Sequence, residues 1–479
     1  MSGRWHTING WQLREYLSCA RKPYMRTYRP FDAQDLPREQ AAVIASDLDL
    51  GLAHEAAVGL ARHPATASPP SGARLPEQAE WTLAAMRRGE PKIYQGVLRW
   101  RTSMGNPEWW GAPDWLVRKP GASAFGNWYY SADDAKAGRR ASRDIQIVPV
   151  AYYCLLLEKI QGTRPDFKLL REFGRVEYHR TTDHEQRVLS TIADLSMVLG
   201  DGRDPGTQLA SRCRNCEFNR ACTTDAERLK HLTLLPGLRK EQLATLERLE
   251  IHSVSDLARR TPDAIVGTGG FPDPGRVRLL IERARAIDTG DARLVGRVEI
   301  PAPEKVEVFI DIENEGLTNH DDGFLFGVLV RRGKRATYWS SLATTAREQR
   351  RAAREFRQKL LAFPDCRVFH YGPHERGFVT EHDLQARLFD VYSIVRENAA
   401  LPVKGTGLKD VAKALGFRWR EANLDGRVIP SLWYSMSGAS KRHQSRVRAR
   451  LRRYNEDDLR ALLHVVDWIR SVWQAAVPK

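Results

Sequence analysis

The stretch Val306-Glu307-Val308-Phe309-Ile310-Asp311-Ile312-Glu313 alternates in the period-two pattern of a β-strand. Side chains two residues apart share a face, so Val306, Val308 and Ile310 point one way while Asp311 and Glu313 share the opposite face. Alone, such a pair reads as a solvated strand edge. Paired carboxylates on one strand face also suit two-metal phosphoryl chemistry. A second element favours the latter: Tyr454-Asn455-Glu456-Asp457-Asp458 opens an apolar helix, with Tyr454 and Asp458 one turn apart on one face. Between them the pattern predicts strands over Phe324 to Val330, Thr337 to Ser340 and Arg367 to Tyr371. It also predicts a basic helix from Ala346 to Ala362, then mostly helix to the end. Three early strands followed by helices imply an α/β layer.

The whole chain has 479 residues and a formal net charge of +16, which predicts about three domains and attraction to a polyanion, nucleic acid before an anionic membrane. There is no run of eighteen apolar residues and no apolar signal segment at Met1 to His6, so the expectation is a soluble, cytoplasmic protein with no membrane partner. No internal repeat is evident.

The N-terminal half mixes helices and strands. Helices are expected over Leu48 to Arg62 and Ile147 to Gln161, the latter apolar almost all round and therefore buried. Strands are expected over Trp109 to Val117 and Asn127 to Ala135, with loops at Pro64 to Leu75 and Lys119 to Asn127. His54 falls on the first helix, Asp114 in Gly111-Ala112-Pro113-Asp114-Trp115, and Asp134-Ala135-Lys136 at the end of a strand. There Asp134 and Lys136 point to one face. Phosphodiester hydrolysis needs a divalent ion held by carboxylates and sometimes an imidazole, and a lysine can position the nucleophile.

Six cysteines occur. Cys213, Cys216 and Cys222 form a C-x2-C-x5-C cluster that needs a fourth ligand, for which Cys19 is the natural candidate. Cys154 and Cys366 read as inert core thiols. Leu232 to Asp288 has short helices broken by Pro236-Gly237 and by Gly269-Gly270-Phe271-Pro272. Its Leu-Pro-Gly-Leu turn resembles a helix-hairpin-helix unit, which can bind a phosphate at a helix start; a structural spacer is equally consistent.

Two family resemblances draw these parts together. Leu17-Ser18-Cys19-Ala20-Arg21-Lys22, Gly51-Leu52-Ala53-His54, the Gly111–Asp114 and Asp134–Lys136 segments, and Cys213-x2-Cys216-x5-Cys222 resemble the RecB-like PD-(D/E)xK nucleases that carry an iron–sulfur cluster. The resemblance implies that His54, Asp114 and Asp134 bind metal, that Lys136 assists catalysis, and that Cys19, Cys213, Cys216 and Cys222 hold a 4Fe-4S cluster, with structural Zn2+ as the alternative. Four residues before Tyr153, where that family carries glutamine, this chain has Pro149; Gln146 lies three residues earlier.

Val306 to about Arg470 resembles DEDD exonucleases of the RNase H-like fold, closest to a YprB/DnaQ-like group. By that resemblance Asp311, Glu313 and Asp458 hold two Mg2+ or Mn2+ ions and Tyr454 orients the attacking water. Glu375, in His370-Tyr371-Gly372-Pro373-His374-Glu375, stands where the wider family has aspartate, and Asp390 is a weaker substitute. Gly407-Leu408-Lys409-Asp410 resembles the segment between the second and last motifs, with Lys409 a phosphate contact or surface residue.

The expected order is a restriction-endonuclease-like RecB-type domain (1–228), a helical connector (229–300) and an RNase H-like α/β domain (301–479). The expected function is a metal-dependent DNA nuclease acting on single strands or ends, in repair, recombination or defence. The alternatives are a nucleic-acid-binding scaffold with degenerate sites and an RNA-processing nuclease. Arg350-Arg351, Arg354, Arg357 and the Lys441 to Arg453 run would favour salt-sensitive nucleic-acid binding. Trp433 and Tyr434 are either base-stacking or core aromatics. Lacking a G-x4-G-K-S/T loop, the chain has no P-loop motor of its own, and a separate helicase or ATPase would supply unwinding.

Overall fold

The computed structural model describes residues 6–29, 54–58, 66–101, 107–136, 143–171, 175–210, 212–213, 216–314, 323–381, 387–421, 424, 426 and 428–476. They form two compact units, Met1–Thr207 with Arg212–Arg220, and Gln208–Ser211 with Ala221–Lys479.

In the first unit, β1 (Thr7–Asn9) pairs parallel with β4 (Glu108–Gly111), which pairs antiparallel with β3 (Leu98–Trp100). A second sheet runs in the order β2 (Lys92–Tyr94), β5 (Trp115–Ser123), β6 (Gly126–Ala135), β7 (Phe167–Leu170), β8 (Val176–His179). Only the β6–β7 pair in it is parallel. That pair is joined by the helix Arg143–Gln161, because parallel neighbours need a crossover. The helix is apolar around most of its circumference because it is buried, Val150, Ala151, Tyr152, Cys154 and Leu156 being fully inaccessible. Its last residue, Gln161, accepts from the Tyr130 backbone N–H at 2.8 Å and donates to the Tyr130 carbonyl at 3.0 Å, fastening the helix end to β6.

Two sequence expectations change here. Trp109 to Val117 is two strands in two different sheets, because Pro113 cannot donate to a ladder and the chain turns at 112–114. Lys119 to Asn127 is mostly strand: β5 runs to Ser123, its register shift between Pro120 and Ser123 absorbs the proline and glycine, and the reversal is confined to Ala124 and Phe125. Of the helix expected over 48–62, residues 54–58 are described and helical; the rest, including Gly51 to Ala53, lies outside the described residues.

In the second unit, helices Lys240–Arg248, Val254–Ala258 and Pro274–Thr289 enclose their own core of Leu243, Leu246, Ile251, Leu257 and Ile281. The Leu235–Leu238 turn leads into the helix Lys240–Arg248, while at the start of Pro274–Thr289 Asp273 accepts from the N–H groups of Gly275 and Arg276. Arg283, buried in this helix, donates to the carbonyls of Ala399 and Arg396 at the end of the helix Val391–Asn398.

The main sheet of this unit has the order β12 (Arg335–Leu342), β11 (Gly323–Arg332), β10 (Val306–Asn314), β13 (Arg367–His370), β14 (Arg387–Asp390). The first three strands are antiparallel and the last two parallel to β10. β10 is therefore central, not an edge. Val308, Ile310 and Ile312 pack on one face against Ala352, Phe356 and Leu360 of the helix Gln349–Leu361. On the other face Phe309 packs with Val391, Leu462 and Val466, the last two from the C-terminal helix Lys441–Ala476. Glu307, 1% exposed, is clamped between Arg331 and Arg470, which ties that helix to the strand. β14 falls in a region expected to be mostly helical; four residues are too few to carry a period. Trp433 belongs to the core, stacked on Phe324 and donating to the Ala343 carbonyl at 2.7 Å, whereas its neighbour Tyr434 is exposed. Cys154 is a fully buried core thiol, as the sequence suggested.

Candidate active site

Asp311 and Glu313 leave the C-terminal end of the central strand, opposite Gly327 and Leu325 of β11. The C-terminal helix crosses this end and brings in Tyr454 and Asp458. Ligand atoms of Asp311, Glu313 and Asp458 lie within 4.8 Å of one another, the one such group of three or more among the described residues. Three carboxylates this close, Asp458 buried and Asp311 and Glu313 half-buried, repel one another. Burial first, then Glu313, Asp458 and Glu375, holds Asp311 well above the usual carboxylate range. Burial, followed by Asp458 and Glu375, pushes Glu313 up to about 8. Burial raises Asp458 to about 6, opposed by a 2.7 Å hydrogen bond from Trp419 Nε1, by Lys409 and by Tyr454. Uncompensated negative charge in a set of hard oxygen donors fits a divalent cation such as Mg2+ or Mn2+.

Glu375 sits in the first turn of the helix Pro373–Glu381 and is 6% exposed; its Oε2 makes no hydrogen bond among the described residues and lies 4.0 Å from His370 Nδ1. Burial raises it to about 8, Asp390 adding to the effect. It stands beside the three-carboxylate group rather than in it. Asp390 is committed elsewhere: it caps the helix Val391–Asn398, accepting from the Tyr392 N–H at 3.0 Å and the Gly372 N–H at 3.2 Å. Tyr454 is buried and hydrogen-bonded to Asp458; burial and the surrounding carboxylates hold its phenol well above 10, so it keeps its proton. The Lys409 ammonium lies over the rings of Tyr454 (5.2 Å) and Trp419 (5.7 Å) and favours ionised Glu313 and Asp458. Trp419 and Asn455, which holds Asp311, are the participants sequence reasoning missed. Asn455 was signalled only by its adjacency to Tyr454, and Trp419 by nothing local.

In the first unit, the turn created by Pro113 places Asp114 at the head of β5, where its Oδ2 accepts from the Ala135 N–H at 2.7 Å. Asp134 and Lys136 leave the end of β6 paired with each other. Burial, then Asp134, pushes Asp114 up to about 9, with Lys136 opposing and Glu55 contributing. Burial pulls the Lys136 ammonium down, but Asp134 and Asp114 outweigh it and keep its pKa raised. His54 Nε2 lies 3.3 Å from the Leu170 carbonyl, the residue whose carbonyl also accepts from the Lys136 N–H. The structure thus brings Asp114, Asp134 and Lys136 together, with His54 at the adjoining end of β7. Glu55, beside His54 and accepting from Tyr94 at 2.8 Å, is a third acidic group, which sequence reasoning did not single out. Tyr153 reaches the same place from the crossover helix, and Gly10 and Gly111 leave room for its ring. Gln146 accepts from Arg171, which follows β7.

Cys19 lies between the helices Gly10–Ser18 and Arg21–Tyr28, close enough to Cys216 to raise its thiol, which burial first pushes up to about 12. The Cys216 N–H bonds the Cys213 carbonyl at 3.1 Å, folding that pair into a turn. Glu217 beside it is held by Lys22 and Arg26, which also grip the buried Glu15. Cys222 lies in the helix Asn219–Arg228.

A five-stranded sheet of this order, with paired acids on its central strand and a third on a C-terminal helix, defines an RNase H-like domain. Residues 308–470 match the family model RNase_H_2 of the RNase H superfamily, a span that contains Asp311, Glu313, Glu375, Tyr454 and Asp458. A domain of this superfamily suggests a nuclease-type activity. No curated protein matches the chain. Among the described residues no helix is long and apolar enough to cross a membrane.

Proposed function

We propose that the chain is a metal-dependent DNA nuclease whose working centre is Asp311, Glu313 and Asp458, with Glu375 and Tyr454 beside them. The observation that carries this is the convergence of three mutually destabilised carboxylates, Asp458 buried and Asp311 and Glu313 half-buried, a costly arrangement unless cations offset it. Asp311, Glu313 and Asp458 would hold the ions, which when bound supply charge neutralisation and an activated water. Tyr454, protonated and anchored on Asp458, orients that water as a donor and is not the base. Lys409, held over two rings, is placed to meet a phosphate oxygen.

Nucleic acid as the partner is supported by exposed Arg347, Arg350, Arg354 and Arg357 along one face of the segment 347–361, and by exposed Lys441, Arg442, Arg446 and Arg452 in the turns before Tyr454. In the first unit, Asp114, Asp134 and Lys136 support a second, RecB-like PD-(D/E)xK centre with His54 as an additional ligand. The Cys19–Cys216 proximity supports the 4Fe-4S reading, with Cys213 beside Cys216 in the same unit.

The test is degradation of end-labelled single-stranded DNA and RNA in Mn2+ by anaerobically purified protein, beside Asp311→Asn and Lys136→Ala. Loss of cleavage in Asp311→Asn is expected. A wild type that binds the strand without cutting it in Mn2+ would refute the proposal, and a marked preference for RNA would refute the DNA assignment.

A further inference from the structure

The acidic centre has an inner support that none of the metal-type residues provides. Asn455 is fully buried on the C-terminal helix, between Tyr454 and the acidic turn that ends at Asp458. Its Nδ2 donates to Asp311 Oδ2 at 2.6 Å, and its Oδ1 accepts from the Tyr338 hydroxyl, on β12, at 2.9 Å. The Tyr338 oxygen is in turn hydrogen-bonded by Ser340. As a metal ligand Asp311 is ionised and can only accept, so the direction of the chain is then fixed: hydroxyl to amide oxygen, amide nitrogen to Asp311. Between these partners lies Gly327, the residue of β11 opposite Asp311. A Cβ there would overlap Asn455 Oδ1. The absent side chain is therefore what lets the amide reach across β11 from Tyr338 on one side to Asp311 on the other.

We infer that Asn455 is a positioning residue that occupies one oxygen of Asp311 and fixes its rotamer, so that Asp311 presents its other oxygen to the metal site, with Tyr338 and Gly327 setting the amide. This rests on the reading of Asp311, Glu313 and Asp458 as a metal site. Partners behind a metal ligand typically change metal affinity by 10- to 100-fold when removed. A purely packing role for Asn455 would lower the melting temperature and leave metal affinity alone.

The experiment is Mn2+ titration of the full chain by calorimetry, with thermal melting alongside, on a background of Asp114→Asn so that the first unit does not contribute. Asn455→Ala is expected to weaken Mn2+ binding at least tenfold, and Tyr338→Phe, a change that leaves the fold intact, by a few-fold in the same direction. Gly327→Ala should weaken binding by displacing the amide, but add nothing further once Asn455 is alanine, because the clash is with that side chain. In cleavage assays kcat falls at limiting Mn2+ and recovers at high Mn2+, with KM for the strand unchanged. Tyr338→Phe and Asn455→Ala proteins that bind Mn2+ as the background does, or Gly327 and Asn455 changes that simply add, would overturn the inference while leaving the metal site standing. A background protein that binds no Mn2+ would overturn both.

Discussion

Ionisation of Glu313 and Asp458 on metal binding should release about one proton at pH 7. With Glu313 held at about 8, roughly nine-tenths of it is protonated at pH 7, and Asp458, at about 6, roughly one-tenth. Both must ionise to act as ligands, so their sum is close to one, and through these two groups the logarithm of the Mn2+ association constant should rise by about one per pH unit near neutrality. By pH 9 Glu313 is roughly nine-tenths ionised and its share of the release is gone. The assay is calorimetry in buffers of different ionisation enthalpy on Asp114→Asn protein, with Glu313→Gln as the control expected to lose about 0.9 proton. Release below about half a proton at pH 7 would refute the claim that these carboxylates are protonated by mutual crowding.

The same shifts predict that metal-free protein loses stability as pH rises. Folded Glu313 and Glu375, both about 8, keep protons that the unfolded chain gives up above about 4.5. The melting temperature should therefore fall between pH 5 and pH 8.5, and the increase given by Mn2+ should widen over that range. Glu307→Ala leaves Arg331 and Arg470 without their shared carboxylate in the interior and should cost about 3–5 kcal/mol in urea unfolding; a change under about 1 kcal/mol would show the clamp to be dispensable. Arg350→Ala with Arg354→Ala should flatten the salt dependence of single-strand binding by about 0.7 per lost contact, whereas an unchanged slope would place the strand elsewhere. Anaerobic wild type should contain about four irons per chain and lose them in Cys19→Ser and Cys216→Ser; one zinc per chain in place of iron would decide for the structural alternative.

Much of the second unit's centre was legible because its signals are local. Asp-x-Glu on an alternating strand guarantees a shared face, and Tyr-x3-Asp on a helix guarantees neighbours one turn apart. The sequence points to Glu375 ahead of Asp390; Glu375 lies beside the acids, and Asp390 caps a helix. Asp134 and Lys136 share a strand face for the same local reason. The break at Pro113, the strand Arg387–Asp390, Trp419 and Glu55 were not legible. Each depends on pairing or packing with residues far along the chain, which no short period records.

The sequence by itself determined which side chains leave each element together, since the pitch of a strand or helix is set within a few residues by backbone geometry. The tertiary structure alone decided that Asp311 and Asp458, 147 positions apart, meet at one strand end. It also decided that Asn455 passes over Gly327 to reach Asp311, and that Glu375 is buried beside them. These follow from sheet order, register and the helix that closes over β10, which are settled by burying two apolar faces of one strand at once.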